Sequence, residues 1–219
     1  MLKAVLFDLD GVITNSAHYH YLAWKSLADE LKLPFDEKFN ENLKGVSRME
    51  SLALLLQNGG MENAFTPHEK ERLADKKNER YKSLIQKITP HDILPGIAEF
   101  LKELKANQIK TAIASVSKNA FTIIDRLQLN AYFDYIVNAA EVKNAKPFPD
   151  IFLAAASGVG AAVSECVGIE DAKAGIESIK RAGIRAIGVG TPEQMTEADL
   201  RLDSTAELTL SLILNAFQF

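Results

Sequence analysis

Asp8 and Asp10 are the first residues of this 219-residue chain whose type and spacing could do chemistry. They close the run Ala4-Val5-Leu6-Phe7-Asp8-Leu9-Asp10-Gly11, in which apolar residues give way to two carboxylates one position apart and then a glycine. A short apolar run without helical period suits a strand buried on both faces of a parallel sheet. In such sheets ligands bind beyond the carboxyl ends of the strands. Two-residue alternation puts both carboxylates on one side, with Leu9 turned away. Carboxylates so close repel, so burial forces one to hold a proton or draws a cation between them. A second reading keeps them as ordinary loop aspartates at a strand end.

Three more strand ends carry polar groups of the same kind. Ser115 follows Lys110-Thr111-Ala112-Ile113-Ala114, and beside a helix start it is either a phosphate seat or a plain N-cap. Lys146, in Lys146-Pro147-Phe148-Pro149, is flanked by prolines that fix the backbone around its ammonium. Glu170-Asp171 follow Cys166-Val167-Gly168-Ile169 and repeat the logic of Asp8 and Asp10. Strands alternating with helices predict an α/β, Rossmann-like, doubly wound parallel sheet whose strand ends face one crevice. Four carboxylates there require a cation, and an all-oxygen set favours Mg²⁺, which commonly meets substrate phosphate. An oxygen nucleophile, neutralising cations and positioned donors are the parts of phosphoryl transfer.

The elements that position these groups follow in order. Asn15 or Ser16 is expected to cap a helix over 17–31, where His20, Trp24, Leu27 and Leu31 share a face. His20 reads equally as a core histidine or as a group reaching the aspartates. Ser47-Arg48-Met49-Glu50 is a capping-box pattern, with Gly45 allowing close backbone approach and Arg48 offering a fixed-charge fork to an anion. Thr66-Pro67-His68-Glu69 starts a heavily charged helix to about Ile88, most of it a solvated face. Helices are also expected over 95–107, after Ser117-Lys118-Asn119, over 149–157 and over 172–182, with strands at 135–137 and 186–189. Thr191-Pro192-Glu193-Gln194 and Ser204-Thr205-Ala206-Glu207 are expected to open the last short helices. This divides the chain into an α/β core of residues 1–14 and 91–219 and an inserted all-helical cap of residues 15–90.

The composition narrows the classes. It is 47% hydrophobic and 25% charged with a formal charge of −4, so no basic footprint points to nucleic acid. The single cysteine, Cys166, lies in an apolar run and reads as a buried thiol in a reducing compartment. No apolar run reaches the ~18 residues of a membrane span, and the N-terminus reads as a strand, not a signal peptide. A cytoplasmic monomer without membrane or nucleic-acid partners is expected.

Asp8-Leu9-Asp10-Gly11, Ser115, Lys146-Pro147 and Glu170-Asp171, together with a helical insert after the first strand, resemble the haloacid dehalogenase-like superfamily over the whole chain. The resemblance implies that Asp8 becomes an aspartyl phosphate and that Asp10 is the general acid and base. It also implies that Mg²⁺ is bound by the Asp8 carboxylate, the Asp10 carbonyl, Glu170 and Asp171, and that the insert is a four-helix cap. Within the family the cap resembles that of a hexose phosphomutase: Leu43-Lys44-Gly45-Val46-Ser47-Arg48, His20 and Trp24, Ser51, Lys77, and in the core Ser117-Lys118-Asn119. That implies substrate contacts from Gly45, Val46, Arg48, Ser51, His20, Trp24, Lys77, Ser117, Lys118 and Asn119. The implied reaction interconverts β-glucose 1-phosphate and glucose 6-phosphate, with β-glucose 1,6-bisphosphate as intermediate and phosphoryl donor. Asn15-Ser16 stands where an Asp-Thr pair is familiar, and Ala172 where a serine is. Two rivals stay open. A phosphatase would use the same core residues, and a phospho-aspartate signalling domain would lack a sugar substrate.

Overall fold

The computed structural model describes residues 1–219. Strand β1 (Ala4–Phe7) is followed by four α-helices: α1 (Ala17–Leu31), α2 (Glu37–Asn40), α3 (Arg48–Asn58) and α4 (Pro67–Ile85). The chain then alternates through α5 (Ile97–Ala106), β2 (Lys110–Ile113), α6 (Ala120–Arg126), β3 (Tyr135–Ile136), α7 (Asp150–Gly158), β4 (Cys166–Glu170), α8 (Lys173–Arg181), β5 (Arg185–Val189), β6 (Leu200–Leu202) and α9 (Leu210–Phe217).

The six strands form one sheet in the order β3-β2-β1-β4-β5-β6, and every pairing is parallel. β1 is central, with Phe7 opposite Ile113 on β2 and opposite Ile169 on β4. Alternation along β1 decides the two cores. Val5 and Phe7 pack with Phe100, Ile123 and Ile213 on one face, while Ala4 and Leu6 pack with Phe152, Ile176 and Ile179 on the other. Both faces are covered, so the strands carry apolar residues at nearly every position. A third cluster joins Trp24, Leu27, Leu52, Leu55, Leu56 and Ala74 and holds α1, α3 and α4 together. Helix α4 belongs to two bodies: Ala74 lies in that third cluster, whereas Tyr81 and Ile85 lie in the cluster of Val5 and Phe7.

Capping chemistry fixes the helix starts. Ser47 accepts from the Glu50 amide and Thr66 from the Glu69 amide, each glutamate answering back as a capping box. Ser16 departs from expectation. It precedes α1 with helical backbone angles and caps nothing, and its hydroxyl donates instead to Asp10 Oδ1 at 2.5 Å. Thr191-Pro192-Glu193-Gln194 makes only turns, because the amides of Gln194 and Met195 both return to the Thr191 carbonyl and the next residues run into β6. That strand and the four-residue α2 were not expected. Leu200-Arg201-Leu202 is too short and too mixed to announce an edge strand, and α2 rests on one cap, Asp36 accepting from the Phe39 amide at 2.7 Å. Helix α9 is capped by Thr209, while the Ser204 box opens only one 3₁₀ turn. No helix is long and apolar enough to cross a membrane.

Candidate active site

The carboxyl ends of β1, β2 and β4 open on a cavity of ≈ 700 Å³, roofed by α1, α3 and α4. The strand order reverses between β1 and β4, and the cavity lies at that switch point. Asp8, buried, leaves the end of β1, and Glu170 ends β4 beside it. Asp8, Glu170 and Asp171 each bring a carboxylate oxygen to within 4.8 Å of the others. Glu170 Oε2 accepts from the amides of Asp171 and Ala172, both at 2.9 Å. Lys146 is 1% exposed and donates to Asp8 Oδ1 and Glu170 Oε1, each at 2.5 Å.

Glycines make this closeness possible at two points. Gly11 adopts φ +90°, and a Cβ there would stand 2.1 Å from Asp171 Oδ2. A Cβ on Gly175 would stand 1.8 Å from Glu170 Oε1.

Charge in this corner is out of balance, since three carboxylates share one lysine. Burial, helped by Asp8, pushes the Glu170 carboxyl up to about 7 against the pull of Lys146. Burial, then Glu170 and Asp8, push Asp171 well up. Burial draws the Lys146 ammonium down, but Asp8 and Glu170 hold it above the ordinary lysine value. Hard oxygen donors, an excess of negative charge and free carboxylate lone pairs fit Mg²⁺.

Asp10 stands next to this set. Ser16 holds one of its oxygens, and His20 Nε2 lies 3.8 Å from the same atom. Burial and the neighbouring Asp8 push the Asp10 carboxyl up to about 6. Above it sits a basic group from the helices. Lys77 Nζ lies 2.8 Å from His20 Nδ1 and 4.7 Å from the centre of the Trp24 ring. Burial, then Arg48, push Lys77 down to about 7, and burial with Lys77 and Arg48 pushes His20 well down. Arg48 is half-buried, with Nη1 3.3 Å from Asp75 Oδ1.

The residues singled out from the sequence converge. Asp8, Asp10, His20, Trp24, Gly45, Val46, Arg48, Ser51, Lys77, Ser115, Ser117, Lys118, Asn119, Glu170 and Asp171 all line the one cavity. Lys146 does not; it lies beneath the floor, its ammonium turned to the two carboxylates. Ser115 Oγ accepts from the Ser117 amide at 3.1 Å, and Lys118 is exposed at the rim.

Sequence reasoning missed Asn78 and Tyr81. Asn119 Nδ2 donates to Asn78 Oδ1 at 3.0 Å, a buried bond between the core and α4. Tyr81 is fully buried, with its ring 3.9 Å from that of His20. The signal was the stripe Ala74, Asn78, Tyr81, Ile85 at helical spacing through a charged segment.

A buried carboxylate at the end of the central strand, a second carboxylate two residues on, and an oxygen set that fits Mg²⁺ suit an enzyme of phosphoryl transfer through an aspartate. A family model described as haloacid dehalogenase-like hydrolase matches residues 2–183, and the chain belongs to that family. It is 49% identical over 212 residues to β-phosphoglucomutase of Bacillus subtilis, covering 97% of this chain and 94% of that one. It is 30% identical to a phosphorylated carbohydrates phosphatase of Thermotoga maritima over 85% of this chain and 84% of the other. The solved β-phosphoglucomutase of Clostridium difficile superposes with a TM-score of 0.97 at 46% identity, over 100% of this chain and 98% of that one.

Proposed function

We propose that the chain interconverts β-glucose 1-phosphate and glucose 6-phosphate through a phosphorylated Asp8 and a β-glucose 1,6-bisphosphate intermediate. The observation that supports it is one cavity with groups suited to an anion on both its core side and its helical side. Asp8, Ser115 and the carboxylate set lie on the core side, while Arg48, Lys77 and His20 lie on the helical side. A bisphosphate needs both ends held at once, and the cavity volume falls within the ~300–1,000 Å³ usual for small-molecule sites.

In this reading residues 1–14 with 91–219 are the catalytic core and residues 15–90 the cap. Phosphorylated Asp8 yields its phosphoryl group to a free hydroxyl of the hexose monophosphate, and the P–O bond to Asp8 breaks as the bond to the sugar oxygen forms. Asp10 takes the proton of that hydroxyl. The bisphosphate turns end for end, and Asp8 takes the other phosphoryl group while Asp10 returns a proton to the departing sugar oxygen. Asp8, Glu170, Asp171 and the Asp10 carbonyl would hold Mg²⁺, which supplies positive charge to the phosphoryl oxygens. Ser115, Ser117 and Lys118 cradle the transferring phosphate, Arg48 and Ser51 the distant one, and Gly45, Val46, Trp24, Lys77 and Asn119 bound the sugar. Lys146 holds Asp8 aimed by its hydrogen bond to Oδ1. Shutting the cap excludes water, the competing acceptor. A cytoplasmic setting accords with a sugar phosphate substrate and one buried thiol.

The test supplies β- and α-glucose 1-phosphate separately, with Mg²⁺ and a trace of the bisphosphate, and follows glucose 6-phosphate against free phosphate. Glucose 6-phosphate from the β anomer alone is expected. Free phosphate as the main product would make the chain a phosphatase like its Thermotoga relative.

A further inference from the structure

Ser178 is wholly buried in the interior of α8, and no step of the proposed reaction uses it. Serine is a middling helix former, and inside a helix its hydroxyl commonly bonds back to the carbonyl one turn before it. Here the hydroxyl leaves the helix and donates to the Phe148 carbonyl at 2.6 Å. That carbonyl accepts from no backbone N–H, so the serine is its one partner.

Phe148 closes the turn that carries Lys146. Its amide donates to the Ala145 carbonyl at 3.0 Å, and Asn144 Nδ2 donates to Asp150 Oδ1 at 3.0 Å. Both bonds lie inside the segment 144–150, so they shape the turn without fixing where it stands. Packing adds little at this point, because the Phe148 ring is 49% exposed and meets the Arg181 guanidinium at 5.7 Å. The Ser178 bond ties the turn to α8. One helical turn earlier on that helix, Gly175 leaves Glu170 its room. The same helix therefore borders Glu170 and holds the turn whose ammonium bonds Glu170 Oε1 and Asp8 Oδ1.

We infer that Ser178 is a positioning residue for Lys146: by holding the Phe148 carbonyl it fixes the turn from which the ammonium reaches Asp8. Ser178 itself lies outside the cavity lining. The inference rests on Asp8 being the nucleophile of the proposed reaction, aimed by Lys146.

Ser178→Ala removes the hydroxyl and puts a better helix former in its place. Its melting temperature is expected to fall by a few degrees, through the carbonyl left unpaired. Its kcat should fall at least about fivefold, because a small shift of a positioned group is costly, with KM for β-glucose 1-phosphate within twofold. In a Lys146→Ala background, assayed at correspondingly higher enzyme concentration, the same substitution should move kcat less than twofold while the melting temperature still falls. A serine that serves only stability would change kcat by the same factor in both backgrounds, and that result overturns the inference. An unchanged kcat in Ser178→Ala overturns it too. Wild-type enzyme in the same assay separates the two questions. If it yields only free phosphate the mutase reading fails, and the Ser178 comparison is then made on that hydrolysis with the same expected loss.

Discussion

Lys146 and Asp8, 138 residues apart in the chain, meet at 2.5 Å, with the lysine fully enclosed. The same ammonium reaches Glu170, so one cation stands between two members of the carboxylate set. Lys146→Ala leaves those carboxylates buried without their partner. Breaking a buried pair costs about 3–5 kcal/mol, and losing a charge aimed at the reacting group about 10²–10³ in kcat. Mg²⁺ should raise the melting temperature of this variant more than that of wild type, since the ion replaces part of the missing charge. Thermal melts with and without Mg²⁺ check this. The same shift in both proteins would show that the metal and the lysine do not share these carboxylates.

Arg48 and Asp75 are paired at 3.3 Å, with the aspartate 76% exposed. Such a pair contributes under about 1 kcal/mol, so Arg48→Ala should melt within a few degrees of wild type. Its activity should nevertheless split: mutase turnover falls at least about tenfold, by loss of a charge-assisted anion contact, while hydrolysis of a small aryl phosphate falls less than twofold. Equal losses in the two assays would place position 48 outside the substrate's distant phosphate.

Lys77 offers a pH test whose sign is fixed by its environment. Its value in the fold, about 7, lies below the ordinary 10.5, chiefly because it is buried. Below pH 7 both folded and unfolded chains hold the proton, and the cost of burying the charge is felt in full. Between 7 and 10.5 the unfolded chain holds more protons, so this group makes stability rise with pH, by at most about 1.4 kcal/mol per unit. Lys77→Met should therefore be more stable than wild type by a few kcal/mol below pH 7, with the gap closing toward pH 10. Urea melts of both proteins at pH 6, 8 and 10 measure it. A gap that widens with pH would refute the burial argument.

Gly175 lies in α8, where alanine would ordinarily favour a helix by about 1 kcal/mol. Here a Cβ would stand 1.8 Å from Glu170 Oε1, so sterics override propensity. Gly175→Ala is expected to displace Glu170 and raise the Mg²⁺ needed for half-maximal activity about tenfold or more. A Mg²⁺ titration of initial rates decides it, and an unchanged midpoint would mean Glu170 is no metal ligand.

The sequence by itself determined five strands of the sheet, the helical insert and the floor of the site. Asp8, Asp10, Ser115 and Glu170-Asp171 were legible because a parallel sheet sends every strand end to one side. Ser47 and Thr66 were legible because a capping box closes within four residues. Only the tertiary structure decided what lies more than one element away. It turned Ser16 from a cap into a partner of Asp10. It drew Lys77, Asn78 and Tyr81 out of a charged helix and buried them beside Asp10 and Asn119. It put Lys146 beneath the cavity floor instead of in its wall. Local patterns record which face of an element is apolar, but a polar side chain within that face is placed only by the neighbour it meets, and that neighbour lies far away in the chain.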